Sequence, residues 1–354
     1  MRRSLELARR WRTAGLGVGR AVVVRTIGPS PFGVGSTLLV ADDGRLAGAV
    51  SAGCFEGWAA EAVLAARRGR YREVVRLAFG DAEAAEAGVA CGGGVDVLVE
   101  PDVPDALLEA AAAGRSVVVA TPLPVERAGP PWSRVVLGST GIEAGSLGDP
   151  ALDAALDRLA AELLRDGASR TVSLGGAELF VEVLPPPPRL IVVGAGEIAV
   201  ELVRLAHALD FRTVVIDARS AFLTRERFPE ADVLLLGWAD ELAEAAGLDA
   251  ESIVVALAHD ARFDDPAIVA ALRRGAWYVG ALGSRRTHEA RLERLRAVGL
   301  GETDLARIHA PVGLDLGGRT AVDIAVGILA EIVAESNRAR RGRVAAAPEL
   351  GAGG

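Results

Sequence analysis

The chain of 354 residues contains no lysine; all 39 of its lysine-or-arginine positions are arginine. That absence removes two chemistries. A Schiff base to a carbonyl substrate needs a lysine amine, and a P-loop needs its phosphate-binding lysine. Phosphate or carboxylate must instead be held by arginine or by backbone N–H groups. Cysteine is nearly absent as well, with only Cys54 and Cys91. So few thiols exclude a disulfide scaffold and point to a reducing, cytoplasmic compartment. A structural zinc site is disfavoured too. It needs three or four ligands at recognisable spacing, yet there is no C-x-x-C, and all four histidines lie beyond the proline run at Pro185–Pro188. No apolar run approaches the length of a membrane span. The N-terminal MRRSLELARRWR reads as a charged amphipathic helix without the apolar core of a signal peptide. A net charge of −8 gives no reason to expect nucleic acid, and the basic run at Arg338–Arg343 reads as a solvated tail.

What is present suits a soluble globular protein: 51% hydrophobic and 24% charged residues. Four successive prolines, Pro185–Pro188, lack backbone donors and favour a stiff connector. We expect an α/β protein in four parts. Residues 1–120 form an N-terminal mixed α/β domain, and 121–188 a middle segment ending in the proline linker. Residues 189–340 form a Rossmann-like doubly wound parallel sheet, and 341–354 a disordered tail. No internal repeat is evident.

In the N-terminal half, AVVVRTI, STLLVAD, LAGAVS, REVVRLAF, VDVLVEP and SVVVAT predict strands. Residues 57–69 and 104–113 predict helices, and Asp149 caps another over Pro150–Asp166. TVSLGGAELFVEVL predicts a hairpin about Gly175 and Gly176. After the prolines, LIVVG, RTVVID, VLLL, SIVVAL and WYVGAL predict strands that alternate with helices, which implies a parallel sheet. Those helices are expected near Asp240, after an Asp265 cap with Pro266 first, and after a Ser284 cap. AVDIAVGILAEIVAE is apolar nearly all round and predicts a packed closing helix.

Gly194-Ala195-Gly196-Glu197-Ile198-Ala199 is a G-x-G-x-x-A between a predicted strand and a predicted helix. Asp217 ends the next strand, about 20 residues on, as a dinucleotide fingerprint requires. Gly194 permits the turn, Gly196 lets a pyrophosphate approach, and Ala199 lets helix and strand pack. Asp217 would accept from a ribose diol. The helix N-terminus offers free N–H groups to an anion. Ligands lie at the carboxyl ends of such strands, so His259, Asp260, Ser284, Arg285, Arg286 and His309 should share one rim. The arginines either hold an anion or simply start a surface helix. His309 is either a satisfied core histidine or a ligand contact.

The two cysteines sit in glycine turns. Cys54, in VSAGCFEG, leads into a predicted helix start, which favours thiolate. Cys91 precedes Gly92-Gly93-Gly94, where a backbone can approach a ligand. These surroundings favour ligand contact over core filling, with Glu56 and Asp96 as nearby acids.

VSAGCFEG resembles the S-x-G-C-x-E-G signature of the XdhC/CoxI family of maturation factors for molybdenum hydroxylases. ACGGGVDVLVEP resembles that family's C-G-G-G strand. GALGSRRTHEARLERL and HAPVGLDLGGRTAVDIAVGILAEI resemble its C-terminal domain. The resemblance covers most of residues 10–335 and is weakest near 121–185. It implies binding of the molybdenum cofactor, as molybdopterin or its cytosine dinucleotide. It also implies support for sulfido exchange with a cysteine desulfurase, and delivery to a molybdenum hydroxylase apo-enzyme. Cys54 and Cys91 would then contact molybdenum or sulfur, and a homodimer is compatible. The implied role is an accessory factor rather than a turnover enzyme. The chain departs from the family pattern in three places. Phe32 stands where an arginine is usual, Ala52 where glycine is frequent, and TAVDIA replaces T-P-E-E-I-A near Thr320. The alternative is an NAD(P)-dependent oxidoreductase with His259 or His309 as proton donor, which leaves both cysteine motifs unexplained.

Overall fold

The computed structural model describes residues 1–28, 30, 32–53, 55–78, 93–124, 126–129 and 133–346. The chain divides into two compact units, Met1–Pro186 and Pro187–Ala345. Among the described residues, no helix is long and apolar enough to cross a membrane.

The first unit holds, in order, α1 (Arg2–Thr13), β1 (Val18–Ile27), β2 (Thr37–Ala41), β3 (Leu46–Gly48), α2 (Glu56–Gly69), β4 (Glu73–Ala78) and β5 (Gly94–Glu100). It continues with α3 (Asp105–Ala113), β6 (Val117–Pro122), β7 (Arg134–Gly138), β8 (Gly141–Ser146), α4 (Pro150–Asp166), β9 (Arg170–Leu174) and β10 (Ala177–Leu184). The Asp149 carboxylate caps α4 by accepting from the Ala151 N–H. The β7–β8 hairpin is new relative to the sequence reading: Glu143, Ala144 and Gly145 weaken any strand signal there.

These strands form two antiparallel five-stranded sheets that repeat one plan. Three strands run as a meander, a helix follows, and a hairpin returns so that its second strand lies beside the first. The orders are β3-β2-β1-β5-β4 and β8-β7-β6-β10-β9. The repeat is invisible in the sequence because the halves share pairing order rather than side chains. Val22, Val24 and Leu98 of the first sheet pack on Phe180 of the second. A buried ion network also joins the sheets. Fully buried Arg20 on β1 binds Glu100 on β5 at 2.7 Å and Glu182 on β10 at 2.7 Å, and Arg134 on β7 binds Glu100 from the other side. Burial alone would lower the Arg20 pKa, but the two carboxylates raise it above its usual value.

The second unit holds β11 (Arg189–Val193), α5 (Glu197–Ala208), β12 (Arg212–Asp217), β13 (Val233–Leu236), β14 (Ser252–Ala256), α6 (Ala261–Arg273) and β15 (Tyr278–Ala281). It ends with α7 (Arg285–Ala297), α8 (Glu302–Leu305), β16 (Ile308–His309) and α9 (Ala321–Ala346). The sheet is parallel throughout, in the order β13-β12-β11-β14-β15-β16. Both faces are covered. Ile191 and Val193 of β11 join the core built with α6, while Leu190 and Val192 join the core built with α5 and α9. This is the expected Rossmann-like sheet, with its topological switch between β11 and β14.

Three local expectations are corrected. Residues after β13 form turns rather than a helix near Asp240. Helix α6 starts five residues earlier than expected: Asp260 caps it by accepting from the Arg262 N–H, and Pro266 lies inside it. Helix α9 buries one face only, through Ala325, Ile328, Leu329 and Ile332, and leaves Val322, Val326 and Val333 exposed. It runs on through Ala346.

Candidate functional site

Strand direction brings three segments to one end of the first sheet. Val22 lies opposite Thr37, Leu38 opposite Gly48, and Gly94 opposite both Ile27 and Ala78. The segments leaving this end are 28–36, 49–55 and 79–93. Cys54 lies in the second and Cys91 in the third. Both cysteines are outside the described residues.

The segment around position 54 is organised by Glu56, the first residue of α2. Its carboxylate accepts from the N–H groups of Ser51 at 2.8 Å, Gly53 at 3.0 Å and Val50 at 3.3 Å, and from the Ser51 hydroxyl. The Ser51 oxygen in turn accepts from the Phe55 N–H at 2.9 Å. Gly53 has φ +104° with no atom within 4 Å of an added Cβ, so glycine is needed for conformation rather than space. Burial pushes the Glu56 pKa up, but Ser51 and the backbone donors hold it below the usual carboxylate range. A carboxylate so occupied positions a turn; it is a poor proton acceptor. The second repeat uses a related clasp without cysteine. Asp153 of α4 accepts from the Ser146 hydroxyl at 2.6 Å and the Leu147 N–H at 2.8 Å. Asp96 is likewise committed. Arg76 binds it at 2.7 Å and Arg25 at 3.0 Å, and these partners keep its pKa low against burial.

In the second unit the glycine turn follows β11. Gly194 has φ +98°, and an added Cβ would lie 2.5 Å from the Ala258 nitrogen. Gly196 caps α5, and nothing lies within 4 Å of the Cβ it lacks, so its open side admits a ligand. Ala199 is fully buried in the core. Glu197 is exposed, and Arg227 meets its charge at 3.3 Å. Arg227 also donates to the Ala195 carbonyl at 2.7 Å and the Phe222 carbonyl at 2.8 Å. Asp217 is already saturated. It accepts from the Ala195 N–H at 2.7 Å, the Arg219 N–H at 2.8 Å and the Arg219 guanidinium at 2.9 and 2.7 Å. Burial raises its pKa, and these donors bring it below the usual value. A ribose would reach this carboxylate only by displacing Arg219.

On the other side of the switch, His259 is exposed with φ +56°. Asp260 pairs with Arg262 at 2.7 Å. Ser284 caps α7 by accepting from the Thr287 N–H, and Arg285 and Arg286 are exposed in its first turn. A buried pair ties these two rim loops together. Asp264 accepts from the Ala258 N–H at 3.1 Å, and Arg291 donates to the Leu282 carbonyl at 3.0 Å and lies 3.5 Å from Asp264. Burial pushes the Asp264 pKa up to about 6 despite Arg291. His309 is engaged elsewhere. It stacks on Tyr278 at 4.4 Å, and its Nδ1 lies 3.1 Å from Glu331 of α9. Glu331 also accepts from the Tyr278 hydroxyl and the Gly313 N–H, both at 2.7 Å. Among the described residues, no cluster of three or more histidine, cysteine or acidic side chains is placed to hold a metal ion.

Sequence reasoning missed Arg219 and Arg227. The first is signalled by a cation two residues after Asp217. The second acts across 32 positions and carries no local signal.

Residues 190–332 match the XdhC Rossmann domain, and residues 11–78 match the XdhC and CoxI family. A Bacillus subtilis protein described as a probable xanthine dehydrogenase subunit is 31% identical over 160 residues, covering 45% of this chain and 46% of that protein. The Escherichia coli molybdenum cofactor insertion chaperone PaoD is 38% identical over 88 residues, covering 25% of this chain and 28% of PaoD. The chain spans less than half the length of the curated relatives it matches. A crystal structure from Bacillus halodurans, described as a xanthine dehydrogenase, shares the fold with a TM-score of 0.77. It is 21% identical, with 98% of each chain covered. With matches in both units and the signature turn built around Ser51, Gly53 and Glu56, the chain belongs to the XdhC and CoxI family.

Proposed function

We propose that the chain binds the molybdenum cofactor as cargo and serves its insertion into a molybdenum hydroxylase of the xanthine dehydrogenase or carbon monoxide dehydrogenase type. The carrying observation is that both cysteine segments leave one end of the first sheet, one of them pinned by Glu56. The name of the chaperone PaoD supports the same reading. Cys54 and Cys91 are the proposed contacts to molybdenum or to a transferred sulfur, for which soft thiolate is suited. Glu56 holds the residues that flank position 54.

In the second unit, Gly196 and the first N–H groups of α5 form the proposed anion site, which the open side of Gly196 fits. Arg227 offsets Glu197 there. Gly194, Ala199 and Asp217 fix the turn; Ser284 sets the start of α7, whose Arg285 and Arg286 add cationic contacts beside His259. Molybdopterin brings a phosphate and its cytosine dinucleotide a pyrophosphate, and the turn suits either. Support of sulfuration with a cysteine desulfurase, work in the cytoplasm and a homodimeric state belong to the same reading. The glycine turn also favours a second reading, NAD(P) binding for hydride transfer. The ties of His309 to Glu331 and Tyr278 count against it as the proton donor there.

Mass spectrometry of the protein purified from a molybdate-replete host tests this. We expect bound pterin, with less retained in Cys54→Ser and Cys91→Ser. Bound NAD(P) without pterin would overturn the proposal.

A further inference from the structure

The two halves of the first unit cover their sheets differently. Leu39 of β2 pairs with Arg20 of β1 on one side and Ala47 of β3 on the other. Val136 of β7 pairs in the same way with Val119 of β6 and Ala144 of β8. The matching strand orders make these two rows equivalent. In the first half, α1 lies on β2 and β3, where its Leu5, Ala8 and Trp11 share a core with Leu39 and Ala47. Leu39 is 1% and Ala47 8% exposed. In the second half, α3 lies on β6 and β10 instead, and has nine residues against the twelve of α1. Val136 is consequently only half-buried and Ala144 is exposed. A cleft of about 410 Å³ opens there. Val117, Val119, Val136 and Ala144 line it from the sheet, and Ala106 and Glu109 from α3.

We propose that this cleft is a docking seat for a basic amphipathic helix of a partner protein. The molecule itself shows what such a seat holds, because the equivalent row is covered by α1. That helix buries Leu5, Ala8 and Trp11 and exposes Arg9, Arg10 and Arg12. Nothing large fills the second seat from within: the residues α3 turns to it are small, as Ala106, or polar, as Glu109. The charge of the rim selects the sign of the occupant. Arg134 is neutralised by Glu100, and Asp105 by Arg12. Among the described residues, Glu109 and Glu143 are then exposed acids without an ion-pair partner, against Arg115 as the one unpaired cation of the rim. An apolar floor with an acidic rim suits a helix that inserts large apolar side chains from one face and sets basic residues on its flanks. The seat stands independently of where the cofactor binds.

The probe is a dye-labelled peptide of residues 1–14, titrated into the full chain and followed by fluorescence anisotropy. Saturable binding is expected, and the peptide should gain helicity on binding, since so short a helix is marginal alone. A peptide carrying Leu5→Asp and Trp11→Asp should bind at least about 10-fold more weakly, because each change removes a large buried apolar side chain. In the full chain, Ala144→Arg fills the cleft from an exposed position and should weaken binding of the unchanged peptide by at least about 10-fold. Glu109→Arg with Glu143→Arg should weaken it at low salt and flatten its salt dependence. Absence of binding overturns the seat. So does binding that Ala144→Arg leaves unchanged, because the peptide then sits elsewhere, as in the place of α1 itself. A native chain that self-associates, and that Ala144→Arg makes monomeric, has a second copy as the occupant and overturns the assignment to a partner protein.

Discussion

Glu56 shows how one side chain can define a motif. Ser, Gly and Glu of the signature are all accounted for by hydrogen bonds around position 54, before any ligand is considered. Glu56→Ala should cost about 1.5–3 kcal/mol, the range for hydrogen bonds to a charged group. Hydrogen exchange should quicken at the Ser51 and Gly53 amides. Unchanged exchange there would contradict the clasp. The glycine turn offers a paired contrast. Gly194→Ala forces a Cβ toward Ala258 at positive φ and should destabilise by about 1–3 kcal/mol in urea unfolding. Gly196→Ala meets no neighbour. It should leave stability nearly unchanged while weakening pyrophosphate binding.

Asp264 adds a pH dependence of known sign. Its folded pKa is raised from 3.8 to about 6. Its stabilising contribution is therefore full below the unfolded value and is lost as pH rises through about 6. From pH 4 to pH 7, the stability of Asp264→Asn relative to the native chain should rise by roughly 2–3 kcal/mol. A difference that is flat with pH would refute the assignment.

At the scale of elements, the buried Arg20 network holds the two sheets of the first unit together. Removing one partner leaves uncompensated buried charge. Arg20→Met should therefore destabilise the unit by about 3–5 kcal/mol in urea unfolding. Replacing Arg20, Glu100 and Glu182 together by apolar residues should recover much of that loss. The second unit was the more legible in sequence. Its strands are short apolar runs buried on both faces, and its glycine turn has a fixed spacing. Legibility failed where packing overrode local signals. Asp260 rather than Asp265 caps α6, and α9 leaves Val322, Val326 and Val333 exposed although its sequence is apolar nearly all round. In the candidate site the motif residues were legible, but their roles were less so. Asp217 is a good acceptor by position, yet its acceptor sites are taken by Arg219 and Ala195. Arg227 reaches the turn only through the fold.

At the scale of the molecule, the first unit is a repeated plan put to unequal use. Both halves clasp a serine to an acid at the start of a helix, through Ser51 with Glu56 and Ser146 with Asp153. Only the first half places cysteine segments at its loops, while the second has the short turns Leu147–Asp149 and Gly175–Gly176. One half thus serves as scaffold and the other as scaffold and proposed cargo site. The Rossmann-like unit carries the proposed anion site at its glycine turn, where the side of Gly196 is open.

Delivery of molybdenum cofactor, as proposed, is tested most directly by the cofactor content of a recipient enzyme. A xanthine dehydrogenase-type hydroxylase would be produced in one molybdate-replete host with and without this chain. Its bound molybdenum and pterin would then be quantified per enzyme molecule. We expect the hydroxylase to fold in both cases but to gain its full cofactor content only when the chain is present. Equal cofactor content with and without the chain would contradict it.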